Sequence, residues 1–317
     1  MRLAERIVLS AAALLTVTTL EALQAQNVQR TTHLYAERDT TALFLDRYTC
    51  TSSPAAEGKT CLVFVFGGGF VTGERDAGYY VPFFEYMARR GCDVVSIDYR
   101  LGLRGMSDPS LVKAVKVFRT TVDMAVEDLF AATAFVLDHA REWGVDPSRI
   151  VACGSSAGAI TVLSAENALC NGITGPLPAN FDYGGIISFA GAVFSSGGQP
   201  RWKRTPCPVL LFHGTSDSNV PYDRARLFGV GFYGSQVIAA QMLETGAPCY
   251  FRSVQFGDHS LAVTPMNDDR DTIDCFIDEY VVRRRNLYVV ESVVDRAHDG
   301  RPTKFSIGDY LTSNYKR

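Results

Sequence analysis

Apolar positions along this chain fall into two kinds of segment. Some are short unbroken runs: Cys61-Leu-Val-Phe-Val-Phe66, Asp93-Val-Val-Ser-Ile97, Arg149-Ile-Val-Ala-Cys153, Ile186–Phe194 and Val209–Phe212. Runs of this length, rich in β-branched and aromatic residues, suit strands buried on both faces of a parallel sheet. In the other kind, apolar residues recur at helical spacing: Tyr79–Arg90, the stretch from Ser110 with its strongest part at Met124–Trp143, Ala157–Leu169, Arg224–Thr245 and Asp268–Val282. Gly91 and Gly144-Val-Asp-Pro147 supply stops for two of these helices. Thr31–Thr49 reads as an early strand or hairpin arm, Thr51–Lys59 as a Ser/Pro/Gly-rich turn, and Cys249–Phe256 alternates as a strand. Strands that alternate with helices predict one α/β domain: a mostly parallel central sheet with helices on both faces.

The two ends read differently. Arg2 and Arg6 precede a mostly apolar stretch, Ile7–Leu20, and Ala22-Leu-Gln-Ala25 offers a small residue at a cleavage point. This pattern predicts a secretory signal over residues 1–25 and an exported, periplasmic or extracellular, protein. The apolar run is short of the roughly 20 residues a membrane span needs, so no membrane association is expected once the signal is removed. The domain then covers 26–282, and 283–317 reads as a peripheral extension with a strand-like patch at Leu287–Val294.

Charge narrows the function classes. There are 31 basic and 34 acidic residues, a formal charge of −3, with no basic stripe, so nucleic acid is excluded as a partner. The eight cysteines show no CxxC and no metal-ligand spacing, and no metal or cofactor is expected. An exported chain can carry disulfides. Cys50 and Cys61 flank the polar turn and are one candidate pair; other pairings stay open.

Gly154-Ser155-Ser156-Ala157-Gly158 stands directly after a predicted strand and directly before a predicted helix. That context makes G-x-S-x-G a sharp turn that exposes the central hydroxyl, and Ser156 is the candidate nucleophile. A serine needs a base and the base an orienting acid. His213, His259 and His298 follow Ser156, and His259, in Phe256-Gly-Asp-His-Ser260, has the late, post-strand position a base requires. Asp217, after the strand ending at His213, is the candidate acid, with Asp223 and Asp258 as rivals. His213 reads as packing under the acid loop. A negative tetrahedral intermediate needs preorganised N–H donors: Ala157, beside the nucleophile, and Gly68 or Gly69, in the glycine run after Phe66, are the candidates. Phe70, Tyr79, Tyr80 and Tyr222 are candidates to line a substrate pocket, with Gly102–Thr121 as its cover.

Together, Val65-Phe-Gly-Gly-Gly-Phe70, Ser96-Ile-Asp-Tyr-Arg100, Gly154–Gly158, His213–Asp217 and Asp258–His259 resemble the α/β-hydrolase superfamily in its carboxylesterase/lipase branch. The chain looks most like exported BD-FAE-type hydrolases, related to feruloyl and acetyl esterases of plant polysaccharides. The resemblance spans most of Cys61–Val282. It implies a serine hydrolase that cleaves small-molecule or glycan esters through an acyl-enzyme. It also implies that Asp98-Tyr99-Arg100 is structural. The alternatives are a serine peptidase of the prolyl-oligopeptidase type and a non-catalytic relative that binds. One departure stands out: the family's oxyanion motif usually reads His-Gly-Gly-Gly, where the His supports the loop, and here Phe66 takes that place.

Overall fold

The computed structural model describes residues 28–38, 40–50, 58–105, 111–227, 230–303 and 305. The expected leader at 1–25 lies outside them, as does most of the turn expected at 51–59.

The chain opens with a hairpin, β1 (Val28–Arg38) paired antiparallel to β2 (Thr41–Cys50), so the early arm is two strands. β2 runs antiparallel to β4 (Asp93–Ile97). From β4 the sheet continues parallel through β3 (Lys59–Val65), β5 (Val145–Ser155), β6 (Gly185–Phe189), β8 (Val209–Gly214), β11 (Cys249–Gln255) and β12 (Tyr288–Val294). The order is β1-β2-β4-β3-β5-β6-β8-β11-β12. Leu62 to Val65, Val94, Val95, Ile97 and Ile150 to Cys153 are fully buried, as the unbroken apolar runs require.

Helices α1 (Val81–Arg89), α2 (Leu111–Trp143), α3 (Ala157–Cys170), α4 (Ser235–Thr245), α5 (Pro265–Asp268) and α6 (Arg270–Phe276) cover the sheet. Successive strand residues point to opposite faces. On β6, Phe189 packs edge-on to Phe83 of α1, while its neighbour Ser188 meets Ala159 of α3 around Gly191. Helices α1 and α3 therefore sit on opposite faces. Among the described residues no helix is long and apolar enough to cross a membrane.

Five expectations change. Arg224–Thr245 is not one helix: β9 (Arg224–Leu227) and β10 (Val230–Gly234) precede α4 and join β7 (Ala192–Ser195) in a second, antiparallel sheet, β7-β10-β9. A Cβ on Gly231 would stand 2.1 Å from the Ala225 carbonyl oxygen, so the close β9–β10 crossing needs glycine there. Ile186–Phe194 is broken between the two sheets at Ala190, whose φ is 55°. The final helix loosens into a π-helical turn at Ile277–Val282. Leu287–Val294 becomes β12, in register with β11 from Cys249↔Tyr288 to Gln255↔Val294, so part of the expected extension is the sheet's edge strand. Cys50 and Cys61 sit in β2 and β3, with β4 between them, and no disulfide joins them.

Candidate active site

Ser156 lies between the last residue of β5 and the first of α3, with φ 51° and ψ −112°. A non-glycine residue is strained there, and the surroundings hold it. The Ser156 N–H donates to the Phe189 carbonyl at 2.9 Å, and its own carbonyl accepts the first helical bond, from Ile160 at 2.9 Å. The flanking glycines permit the turn. A Cβ on Gly154 would stand 2.3 Å from the Gly158 oxygen, and one on Gly158 2.0 Å from the Val65 oxygen. The hydroxyl is thus set at the N-terminus of a 14-residue helix, where backbone N–H groups favour negative charge.

His259 and Asp217 converge on this hydroxyl. Ser156 Oγ is 2.8 Å from His259 Nε2, and His259 Nδ1 is 2.8 Å from Asp217 Oδ2. Asp217, buried at the end of β8, accepts the N–H groups of Asn219 (2.8 Å) and Val220 (2.9 Å) on Oδ1. Burial alone would raise the Asp217 carboxyl. The facing His259 imidazole and the contacts from His213 and His259 outweigh it and hold the carboxyl well below the usual range. His259 begins a 3-10 turn, His259–Ala262, capped by the Asp258 side chain through Ser260 N–H. The Ser155 hydroxyl donates to the Ala262 carbonyl at 2.8 Å and ties that turn to β5, directly before Ser156.

The rival residues point elsewhere. Asp258 caps its own turn and pairs with Arg301 at 2.7 Å, Asp223 pairs with Arg224 on the surface, and exposed His298 pairs with Asp295. Buried His213 hydrogen-bonds to Ser235 and to the Val220 carbonyl, under the acid loop as expected.

The glycine loop adjoins Ser156: a Cβ on Gly67 would lie 3.2 Å from the Ser156 Cβ. Gly68 and Gly69 follow with φ of 123° and 65°, and Ala157 is the first residue of α3. With Phe66 in place of histidine, the loop is braced by phenols. The Gly67 N–H donates to the Tyr80 hydroxyl at 3.1 Å, and the Tyr99 hydroxyl donates to the Phe66 carbonyl at 2.9 Å. Burial pushes the pKa of both phenols up, so both stay protonated. This brace was missed from sequence; the tyrosine pair after Gly78 gives no local sign of it.

Of the four candidate pocket residues, Phe70 and Tyr80 are core side chains, each 1% exposed. Phe70 packs edge-on to Tyr99 and Phe118, and Tyr80 edge-on to Phe64. Tyr222 leans on His213 and Phe251 with its hydroxyl 2.6 Å from Ser253 Oγ. Tyr79 alone is well exposed, 54%, with its ring tilted against that of Tyr80. The expected cover is in part helical: residues 111–121 begin α2. Arg100 ties the sheet end to α2 through Asp128 and Glu127, a structural role. A cavity of about 440 Å³ lined by Phe66, Gly73, Tyr99, Arg100 and Met124 includes none of Ser156, His259 and Asp217.

A mostly parallel sheet, a strained serine between β5 and α3, and an acid and a histidine after later strands define the α/β-hydrolase fold. The comparisons agree. A family model described as the carboxylesterase family matches residues 16–166. Fumonisin B1 esterase of Sphingopyxis macrogoltabida is 34% identical over 111 residues, which are 34% of this chain and 20% of that protein. Cholinesterase 1 of Branchiostoma lanceolatum is 33% identical over 111 residues, 35% of this chain and 29% of that protein. The chain thus spans well under half the length of these curated relatives. The apo form of Thermogutta terrifontis esterase 2 superposes with a TM-score of 0.60 at 24% identity, covering 81% of this chain and 96% of that one.

Proposed function

We propose that the chain is a serine hydrolase of carboxylic esters, with Ser156 as nucleophile, His259 as general base and acid, and Asp217 as the group that orients His259. The observation that carries this reading is the unbroken hydrogen-bonded chain from Ser156 Oγ through His259 to a buried, ionised Asp217. Ser156 Oγ attacks the ester carbonyl carbon as its proton passes to His259 Nε2. The tetrahedral oxyanion is held by the N–H of Ala157 and those of Gly68 or Gly69. Collapse expels the alcohol, which takes the proton from His259, and leaves an acyl-serine. Water, deprotonated by the same imidazole, then releases the acid. The carboxylesterase match and the esterase names of the relatives support this class.

The finer reading is a small-to-medium acyl ester, acetyl or feruloyl, on a plant polysaccharide, turned over outside the cytoplasm. It rests on the BD-FAE-type resemblance and on the leader-like pattern of residues 1–25. A fluorophosphonate probe is expected to label Ser156 and to abolish turnover in step with labelling. A panel of p-nitrophenyl esters, acetylated xylan and feruloylated oligosaccharides reports the acyl and alcohol preference. A chain that neither takes up the probe nor turns over any of these esters sinks the proposal.

Tyr80→Phe tests the loop brace. It leaves the buried Gly67 N–H without its acceptor, a loss of about 1–3 kcal/mol in stability. The loosened oxyanion loop is expected to lower kcat by about tenfold. Steady-state kinetics beside a thermal melt check this, and an unchanged kcat argues that the loop holds its shape without the phenol.

A further inference from the structure

We propose that His213 is a positioning residue: it fixes Asp217, and through Asp217 the orientation and basicity of His259. The inference rests on the triad reading above and deepens it.

His213 ends the apolar run of β8 and is fully buried. Its Nε2 lies 3.2 Å from the Val220 carbonyl oxygen and 3.4 Å from Asp217 Oδ2. Both neighbours are acceptors, so Nε2 carries the proton. Its Nδ1 lies 2.8 Å from Ser235 Oγ, at the start of α4. In that tautomer Nδ1 has a lone pair, which the Ser235 hydroxyl fills by donating at 2.8 Å, its contact with the Gly191 carbonyl being far longer at 3.4 Å. The two acceptors at Nε2 therefore fix the tautomer of His213, as Asp217 does for His259, and Ser235 anchors the ring at Nδ1.

Val220 joins the two ends of the acid loop. Its N–H donates to Asp217 Oδ1, and its carbonyl accepts from His213 Nε2. Oδ1 is already held by two backbone N–H groups, while Oδ2 receives His259 Nδ1 at 2.8 Å and lies 3.4 Å from His213 Nε2. These contacts hold the carboxylate in one orientation, and the His213 N–H compensates part of the charge on Oδ2. The other groups facing His213 are the ring of Tyr222, edge-on at 5.6 Å, and Ser235; Asp217 is the one carboxylate among these neighbours, and His259 lies beyond it. A histidine that only filled space would need neither this tautomer nor this pair of acceptors.

His213→Asn places its carboxamide short of Val220 and Asp217, while His213→Gln carries a donor to about the position of Nε2. The asparagine variant is expected to lose about tenfold or more in kcat, the scale of a lost charge-assisted contact, with KM little changed. The acidic limb of its kcat/KM profile moves to higher pH, because a carboxylate freed of one donor gives more of its charge to the protonated imidazole. The glutamine variant regains most of the rate and the wild-type limb. A merely structural histidine would lower the melting temperature and leave the limb in place. An asparagine variant with wild-type kcat and limb, or a glutamine variant as impaired as the asparagine one, overturns the inference. If the asparagine variant does not fold, Ser235→Ala, which keeps the imidazole but removes the hydrogen bond that anchors it at Nδ1 and so loosens its hold on Asp217, reads the same limb; no movement there overturns it too. Fluorophosphonate labelling separates the failures. A wild-type chain that is labelled and active beside an unaltered asparagine variant sinks this inference alone, and an inert, unlabelled wild-type chain sinks both readings.

Discussion

Ser156→Ala is expected to lower kcat for every ester the chain turns over by at least about 10⁴-fold, leaving the fold intact. The hydroxyl is the one atom removed, and its hydrogen bond goes to His259 Nε2. The backbone contacts that hold the turn, Ser156 N–H to Phe189 and Ile160 N–H to Ser156, do not involve the side chain. Alanine is strained at φ 51° to the same degree as serine, so strain does not separate the two proteins. The oxyanion donors and the binding surface survive, and a small residual rate over water is expected from them. Asp217→Asn should cost nearly as much, because an amide that donates toward His259 Nδ1 favours the wrong tautomer for proton uptake at Nε2. Circular dichroism and a melt should superpose on wild type for Ser156→Ala. A variant with wild-type turnover would remove Ser156 from the chemistry.

The three residues that meet at the site, Ser156, His259 and Asp217, were legible in the sequence because each follows a local rule. A serine exposed at a strand-to-helix turn needs small neighbours, which Gly154 and Gly158 supply, and the acid and base follow strands whose apolar runs are plain to read. What was not legible depends on partners distant in sequence. Tyr80 and Tyr222 carry the same amphipathic side chain, and only the packing shows that one braces the oxyanion loop and the other backs His213. Phe70 stands beside the glycine run, yet its positive φ turns it into the core against Phe118, from a helix 48 residues later in the chain (118 − 70). Arg224–Thr245 has apolar residues that fit a helix over its second half, and that half is α4. In the first half β10 pairs with β7, whose residues stand 36 to 42 positions earlier (231 − 195 and 234 − 192), and a pairing of that range leaves no mark on local periodicity. The register of β12 on β11 is hidden for the same reason.

Gly158→Ala should be among the most damaging single methyls in the described part of the chain. The added carbon would lie 2.0 Å from the Val65 carbonyl oxygen, 2.6 Å from the Val65 carbonyl carbon and 2.8 Å from the Phe66 oxygen. All three are backbone atoms of the end of β3 and the start of the glycine loop, so no side-chain rotation relieves the contact. Either α3 shifts outward, which moves Ser156 at its first turn, or β3 bends, which moves the loop that carries Gly68 and Gly69. Overpacking a rigid core typically costs about 1–3 kcal/mol, and a backbone collision stands at or above the top of that range. Against a total stability of about 5–15 kcal/mol, and at about 2–4 °C per kcal/mol for a chain of this size, a fall of roughly 6–12 °C in melting temperature is expected, with poor soluble yield. Activity should fall further than stability, because the same displacement separates the nucleophile from its oxyanion donors. Gly78→Ala is the matched control: its added methyl meets nothing within 4 Å, and its φ lies outside the left-handed region. That variant should melt within a degree or two of wild type. A Gly158→Ala protein that melts with wild type would show that the contact between α3 and β3 has slack, and the rigid placement of Ser156 against the glycine loop would have to be abandoned.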